Sequence, residues 1–169
     1  MSANNTVRSG LSPQVYMEIS QLYGLYARDV DPGSPRNAAW LFADDAEFYA
    51  YGARFAYNYS GDAPSEPQQY HGQNELAAFF ETIRENVSTG TRHFNTTYVV
   101  EKTPDGAKGT CYMLMVARDT VSEAPYIVGT GTYEDDLIET GEGWRFKRRI
   151  FRFDACKDDE SPVPLAAIG

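Results

Sequence analysis

The candidate for chemistry in this sequence is His93, one of only two histidines in the chain. It lies in the run 91–101, whose β-branched and aromatic residues are typical of a strand. A neutral imidazole that points into the fold can remove a proton from a substrate near pH 7. Asn95 shares the strand face of His93 by the period of two, so it either contacts the same ligand or makes a hydrogen bond at the sheet edge.

A carboxylate beside His93 would complete a general base. By accepting a hydrogen bond from one ring nitrogen, it would fix the tautomer and stabilise the imidazolium that forms. Asp31 and Asp29, near the end of the first predicted helix, are carboxylates that could fill this role, and only the family resemblance given below relates one of them to His93. Asp29 would point from a different helical face. The alternative is that Asp31 only ends the helix in an ordinary Asp-Pro-Gly turn and that His93 hydrogen-bonds within the sheet.

Further aromatic and polar side chains could line a pocket around this pair. Tyr26 and Tyr49 are candidate general acids, and the alternative for each is packing in the core. The candidate substrate-binding residues are Tyr23, Trp40, Tyr51, Asn95, Tyr112 and Arg148. Arg148 belongs to a basic strand that could bind an acidic group or form a solvated sheet face.

The elements that would position these residues follow from periodicity and capping signals. The predicted elements are helices at 13–30, at 35–42 and for about four turns after Gly72, and strands at 46–51, 92–102, 108–118, 126–139 and 144–154. A long loop is predicted at 52–69. We therefore expect an α+β fold in which three helices pack on one face of a curved antiparallel sheet. Residues 1–12 would be a flexible N-terminus, 13–154 a single domain and 155–169 a tail.

Composition narrows the classes of function. A length of 169 residues suits one domain, and a net charge of −9 argues against nucleic acid or anionic membranes as partners. The chain has neither an apolar run of about 20 residues nor a secretory signal, which predicts a cytoplasmic protein without a membrane span. Cys111 and Cys156 are expected to be free thiols, and no spacing of ligands or glycines implies a metal or nucleotide cofactor.

The order of elements and several local motifs resemble the SnoaL-like, nuclear-transport-factor-like superfamily. The matching segments are 22–31, 41–48, 70–72 before Glu75-Leu76, Arg92-His93-Phe94, and Gly143-Trp144-Arg145-Phe146. This resemblance implies a cone-shaped α+β barrel that holds a pocket between the sheet and the helices. The scaffold hosts enzymes, binding modules and assembly subunits alike.

Within that superfamily the chain is similar to scytalone dehydratase, bile acid 7α-dehydratase and hexachlorocyclohexane dehydrochlorinase, which are cofactor-independent lyases. The resemblance implies a pair of Asp31 and His93. The chain departs from the dehydratase pattern at Cys111, where a second histidine would stand.

The expected function is therefore a cofactor-independent lyase. Its substrate would be a small hydroxylated aromatic or polycyclic compound, and the aromatic side chains around the loop, Tyr51, Phe55, Tyr57 and Tyr59, suit such a ligand. The relatives imply a homo-oligomer, with a trimer favoured over a dimer. The expectation of a lyase covers a dehydratase and a carbon–carbon lyase that releases formaldehyde. The alternatives are a subunit resembling the β chain of ring-hydroxylating dioxygenases, a cyclase or isomerase, and a ligand carrier.

Overall fold

A six-stranded sheet forms the framework, and two α-helices cover one of its faces, here called the inner face. The computed structural model describes residues 9–52, 66–86, 90–119 and 121–154. The helices are α1 (Pro13–Val30) and α2 (Gly72–Asn86), with a 3₁₀ helix at Ala38–Leu41. The strands are β1 (Phe42–Tyr51), β2 (Gln68–His71), β3 (Arg92–Thr103), β4 (Gly106–Arg118), β5 (Pro125–Thr140) and β6 (Gly143–Phe153).

The strand order β2-β1-β6-β5-β4-β3 confirms the predicted α+β class, with one difference in the sheet. Strands β3 to β6 form the expected antiparallel meander. Strand β1, however, runs parallel to β6, with Phe48 opposite Arg149. The sheet is therefore mixed rather than wholly antiparallel. Hairpin signals could not reveal this pairing, because about a hundred residues separate the two strands in the chain.

The expectation of three helices was wrong, because only two α-helices occur in the described residues. The second predicted helix is a single 3₁₀ turn, which begins where the Asn37 side chain accepts a hydrogen bond from the Ala39 N–H. Strand β1 already starts at Phe42, four residues before its predicted beginning, and this leaves no room for an α-helix. The first helix has its predicted bounds, and the Ser12 hydroxyl caps it by accepting from the Val15 N–H at 3.2 Å.

The ends of the predicted domain are only partly described. Ser9 accepts a backbone hydrogen bond from Lys102 on β3, so the last residues of the predicted N-terminal segment lie against the sheet. Residues 1–8, the tail 155–169 and most of the predicted loop, with Phe55, Tyr57 and Tyr59, lie outside the described residues. The end of that predicted loop includes the start of β2 at Gln68.

The core lies between the inner face of the sheet and the helices, and it is rich in aromatic rings. Helix α1 has a buried stripe of residues at helical spacing: Ile19, Leu22, Tyr23, Tyr26, Asp29 and Val30. Gly129 and Gly131 on β5 allow aromatic side chains of β6 to approach the backbone closely. A Cβ at Gly129 would overlap the Phe153 ring, and one at Gly131 would lie 2.6 Å from the Phe151 ring.

Alanine substitutions at two glycines are expected to have opposite effects. Gly24 lies on the exposed side of α1, and a Cβ there would meet no atom within 4 Å. Gly24→Ala should therefore raise the free energy of unfolding by about 0.5–1 kcal/mol. Gly131→Ala should lower it by about 1–3 kcal/mol, because the new methyl would overlap Phe151. Urea denaturation measures both, and a loss of stability in Gly24→Ala would contradict this account of the α1 surface.

Candidate active site

The carboxylate of Asp31 joins the end of α1 to the start of β3. Asp31 is the C-cap residue of α1 and has an extended backbone conformation. Its Oδ1 lies 2.7 Å from His93 Nδ1 and also accepts a hydrogen bond from the backbone N–H of His93 at 3.1 Å. An ionised carboxylate only accepts hydrogen bonds, so this contact assigns the ring proton to Nδ1 and leaves the Nε2 lone pair available.

Both members of this pair are largely withdrawn from solvent. The exposed fractions of the side chains are 6% for His93 and 9% for Asp31. Within the described residues, no group hydrogen-bonds His93 Nε2. The arrangement therefore presents one unoccupied ring nitrogen whose orientation is fixed by a carboxylate, which is the geometry of a general base.

Asp29, the other candidate carboxylate, has a different set of partners. It is fully buried and accepts hydrogen bonds from the Ser34 hydroxyl and from Trp40 Nε1, both at 2.9 Å. Arg36 forms an ion pair with it at 3.3 Å. Asp29 thus holds the turn that follows α1. Trp40, a candidate substrate-binding residue, is tied to this carboxylate.

Asn95 lies on the inner face of β3, two residues beyond His93. It is 8% exposed, and its Nδ2 donates to the Tyr23 carbonyl at 3.4 Å. Its Oδ1 is buried and has no hydrogen-bond partner within the described chain. The pairing of β3 with β4 is interrupted by a bulge between Thr96 and Val99, where Thr97 has a φ of 57°. In this bulge the Tyr98 hydroxyl donates a hydrogen bond to the Asn95 carbonyl at 2.7 Å. Asn95 therefore lies on the same face of β3 as His93, with one buried acceptor that is not paired within the described residues.

Tyr23 and Tyr26 lie in the core around a buried ion pair rather than on an open surface. The Tyr23 hydroxyl donates to Asp135 at 2.6 Å, and the Tyr26 ring is 4.0 Å from the Arg149 guanidinium. Burial raises the pKa of both tyrosines, so both hydroxyls stay protonated at neutral pH. Tyr26 packs against Phe42, Phe80, Tyr133 and Phe146. Tyr26 therefore has the core-packing role considered as its alternative, and Tyr23 also lies in the core.

The ion pair between Arg149 and Asp135 is a feature that the sequence interpretation missed. Arg149 is fully buried on the inner face of β6, and it donates to Asp135 through Nε at 2.7 Å and through Nη2 at 2.9 Å. The sequence did contain a signal for the burial of Arg149. Side chains of a strand alternate between its two faces, so Arg149 lies on the same face as Phe151 and Phe153. The interpretation of this strand as a basic solvated face holds only for Arg148 and Arg152, which are 45% and 47% exposed.

Four candidate site residues lie on the outer face of the sheet, opposite His93. They are Tyr49, Tyr51, Tyr112 and Arg148. The Arg148 guanidinium is 5.3 Å from the centre of the Tyr49 ring, and Tyr112 is 61% exposed. The structure therefore does not bring these side chains to the pair. Period-two alternation separates the two faces of a strand, but it does not show which face the helices cover.

Cys111 is less available for acid–base chemistry than its residue type suggests, and His71 lies on β2, at the edge of the sheet opposite the β3 strand of His93. Cys111 is buried on the inner face of β4, and burial raises its pKa to about 12, so the thiol stays protonated at neutral pH. His71 is exposed at the end of β2, and its backbone N–H donates to Glu75 at 2.7 Å. The protonated Cys111 thiol therefore does not reproduce the second histidine that the dehydratase pattern has at this position.

The described residues contain neither a metal-binding cluster nor a membrane-spanning helix. No three His, Cys, Asp or Glu side chains in this part of the chain are grouped so that they could hold a metal ion. Neither α1 nor α2 is long and apolar enough to cross a membrane.

The fold and the motifs place the chain in a known family. The model of the SnoaL-like domain matches residues 14–150, and the chain belongs to this family. No protein with a curated description matches the chain.

Solved structures share the fold at low sequence identity. A nuclear-transport-factor-2-like protein with a cystatin-like fold from Novosphingobium aromaticivorans is 21% identical, with 92% of this chain and 90% of that chain covered and a TM-score of 0.66. A protein from the same species, provisionally described as a scytalone dehydratase, is 22% identical over 88% and 89% of the two chains, with a TM-score of 0.63. The β subunit of a provisionally described aromatic-ring-hydroxylating dioxygenase, also from that species, is 18% identical over 90% and 95%, with a TM-score of 0.66.

Proposed function

We propose that this protein is a cofactor-independent lyase that acts on a small hydroxylated aromatic or polycyclic compound. The observation that carries the proposal is the 2.7 Å contact between Asp31 Oδ1 and His93 Nδ1, which leaves Nε2 without a hydrogen-bond partner in the described residues. His93 is the general base in this proposal, and Asp31 is the residue that positions it. The fold similarity to a protein provisionally described as a scytalone dehydratase agrees with this class of reaction.

The proposed reaction is an elimination with a simple balance of protons and electrons. Nε2 of His93 takes a proton from a substrate carbon, and the electrons of that C–H bond form the new double bond as the C–O bond breaks. The imidazolium is stabilised by Asp31, and it returns its proton to the departing hydroxide to give water. Cyclisation, isomerisation or release of formaldehyde could use the same base.

The test compares two histidine variants. Wild type, His93→Ala and His71→Ala are each incubated with a panel of hydroxylated mono- and diaryl compounds without added cofactor, and product mass is followed. We expect wild type and His71→Ala to form a product lighter by one water or one formaldehyde, and His93→Ala to form none. His71 is the matched control, because it is the other histidine and is exposed. Equal turnover by His93→Ala would overturn the proposed role of the base.

A second candidate function is assembly with other chains through the outer face of the sheet. Large apolar side chains are exposed there, including Phe94 (49%), Tyr112 (61%) and Ile127 (56%). Exposed apolar surface of this kind marks interaction sites. Light scattering, which measures the molar mass of the purified protein, discriminates between the two candidate functions. The lyase proposal predicts an oligomer of this chain alone, with a trimer favoured. A monomer that becomes active or stable only with a different subunit would favour the assembly role.

A further inference from the structure

The outer face of the sheet carries a row of polar side chains that crosses all six strands. Strand register places its members opposite one another on neighbouring strands. From β3 to β2, the row is Glu101, Lys108, Asp136, Arg148, Glu47 and His71. The sign of the charge alternates from each strand to the next between β3 and β1, and His71 occupies the last position on β2. We call this set the charged row.

The charged groups of this row are only loosely engaged with one another. Lys108 Nζ lies 3.9 Å from the Asp136 carboxylate, and the Arg148 guanidinium lies 3.9 Å from both Asp136 and Glu47. A direct hydrogen bond would be about 2.7–3.2 Å long. The exposed fractions of these four side chains lie between 39% and 73%. The groups can therefore form closer contacts with a second molecule.

The charged row is complementary to itself under one two-fold axis. The axis runs along the strands, between β5 and β6, and brings the outer face of a second copy onto that of the first. Strand β4 then lies over β1 of the second copy, and β5 lies over its β6. Lys108 faces Glu47 of the second copy, and Asp136 faces its Arg148. Both kinds of contact join opposite charges, because an alternating row of even length exchanges its signs when it is reversed.

The charged row also disfavours the other way of stacking two copies. An axis across the strands, along the row itself, would place each residue opposite its own copy, so that Lys108 would face Lys108 and Asp136 would face Asp136. Like charges in contact suppress an association. The axis along the strands has no such conflict. It also keeps the strands of the two sheets roughly aligned, as in the common packing of two sheets at about 30°.

The same axis covers a largely exposed aromatic ring. Tyr112 on β4 is 61% exposed, and the residues in register with it are Thr132, Arg152 and Tyr51 on β5, β6 and β1. When this second row is reversed, Tyr112 lies over Tyr51 of the second copy. The Tyr51 ring already packs under the Arg152 guanidinium at 4.4 Å. Contact between the two tyrosine rings would add to the charge contacts.

The outer face is large enough for a stable contact between two copies. Six strands spaced about 4.8 Å apart, with seven residues of each, form a face of roughly 650 Å². A standard protein interface buries about 800 Å² on each partner. The face therefore approaches the usual size of such an interface.

We propose that the outer face binds a second copy of this chain through the charged row and so forms a two-fold dimer. Neither candidate function names this occupant. The inference does not rest on the lyase chemistry, because His93 points to the inner face. A two-fold contact closes after two copies, so the proposed oligomer is a dimer rather than the trimer that the relatives favour.

Charge reversal tests the contact between Lys108 and Glu47. Within one chain these residues lie three strands apart, which is about 14 Å, so coupling between them reports a contact between copies. Glu47→Lys and Lys108→Glu should each weaken dimerisation by about tenfold or more, because each creates two contacts of like charge. An equimolar mixture of the two variants should dimerise nearly as wild type does, because both contacts in the mixed pair join opposite charges. Glu85→Lys changes the net charge equally on the exposed side of α2 and should dimerise as wild type does.

The molar mass by light scattering over a range of concentrations gives the outcome. A wild-type dimer that is weakened in both single variants and restored in their mixture supports the proposal, and a misfolded variant would not be rescued by mixing. A wild-type monomer or trimer would overturn it, and so would a mixture that dimerises no better than the single variants. Turnover is measured on the same samples. An active trimer would keep the lyase proposal and refute the dimer, whereas an inactive dimer would do the reverse.

Discussion

Asp31→Asn and His93→Gln are each expected to lower kcat by about 10²- to 10⁴-fold. His93→Gln removes the base. Asp31→Asn leaves an acceptor oxygen near His93 N and Nδ1 but removes the negative charge that stabilises the imidazolium. Because that charge matters most after proton transfer, KM should change far less than kcat in Asp31→Asn. Steady-state kinetics with the substrate identified by the product assay measures both constants.

Asp29→Asn is the matched control for the charge of Asp31. Asp29 is two residues earlier and fully buried, and its partners are Ser34, Trp40 and Arg36 rather than His93. Its substitution should lower the free energy of unfolding by about 1–3 kcal/mol, while kcat of the folded protein stays near that of wild type. If Asp29→Asn loses kcat and Asp31→Asn does not, the carboxylate partner of the base has been assigned to the wrong residue.

Arg149→Met is expected to lower the free energy of unfolding by about 3–5 kcal/mol, the largest loss of stability expected for this protein. Asp135 is 4% exposed, and after this substitution only the Tyr23 hydroxyl would remain as a side-chain donor to it within the described residues. A buried carboxylate without a cation is costly, because the interior solvates charge poorly. The aromatic rings around Arg149, with Phe146 at 3.8 Å and Tyr133 at 4.2 Å, would not compensate that charge.

The double variant Arg149→Met with Asp135→Asn separates loss of pairing from loss of packing. Both charges are absent in it, and the new amide oxygen on β5 can still accept a hydrogen bond from Tyr23. We expect it to be more stable than the Arg149→Met variant, so the two effects should not add. Arg149→Lys keeps the charge without the two-point contact and should fall between wild type and Arg149→Met. Urea denaturation measures all of these, and a loss below about 1 kcal/mol in Arg149→Met would contradict a buried, charge-compensated pair.

The elements of the fold could largely be predicted from local signals. Ser12 and Pro13 begin α1, and Asp31 follows its last residue, because capping and proline act within one turn of the chain. The four strands of the meander appear within a few residues of their predicted limits. The extra α-helix was predicted because a start signal at Ser34 and Pro35 does not show where the next strand begins.

For the candidate site, His93 could be singled out by residue type and Asp31 by family resemblance. Their 2.7 Å contact could not be derived, since 62 residues separate them in the chain. The four candidates Tyr49, Tyr51, Tyr112 and Arg148 were placed with the pair although they lie on the outer face. Alternation fixes which residues share a face within one strand, and it does not relate the faces of different strands.

Local order along the chain therefore specifies α1, α2, the meander and the residue types that can do chemistry, but not the 3₁₀ turn that replaces the second predicted helix. Only the tertiary structure decides that β1 pairs with β6, that Asp31 rather than Asp29 reaches His93, and that Arg149 is buried while Arg148 faces outward. The physical reason is the range of the interactions. Capping and periodicity act between neighbours in the chain, whereas strand pairing, burial of charge and contacts between helix and sheet depend on segments that meet only when the whole domain folds.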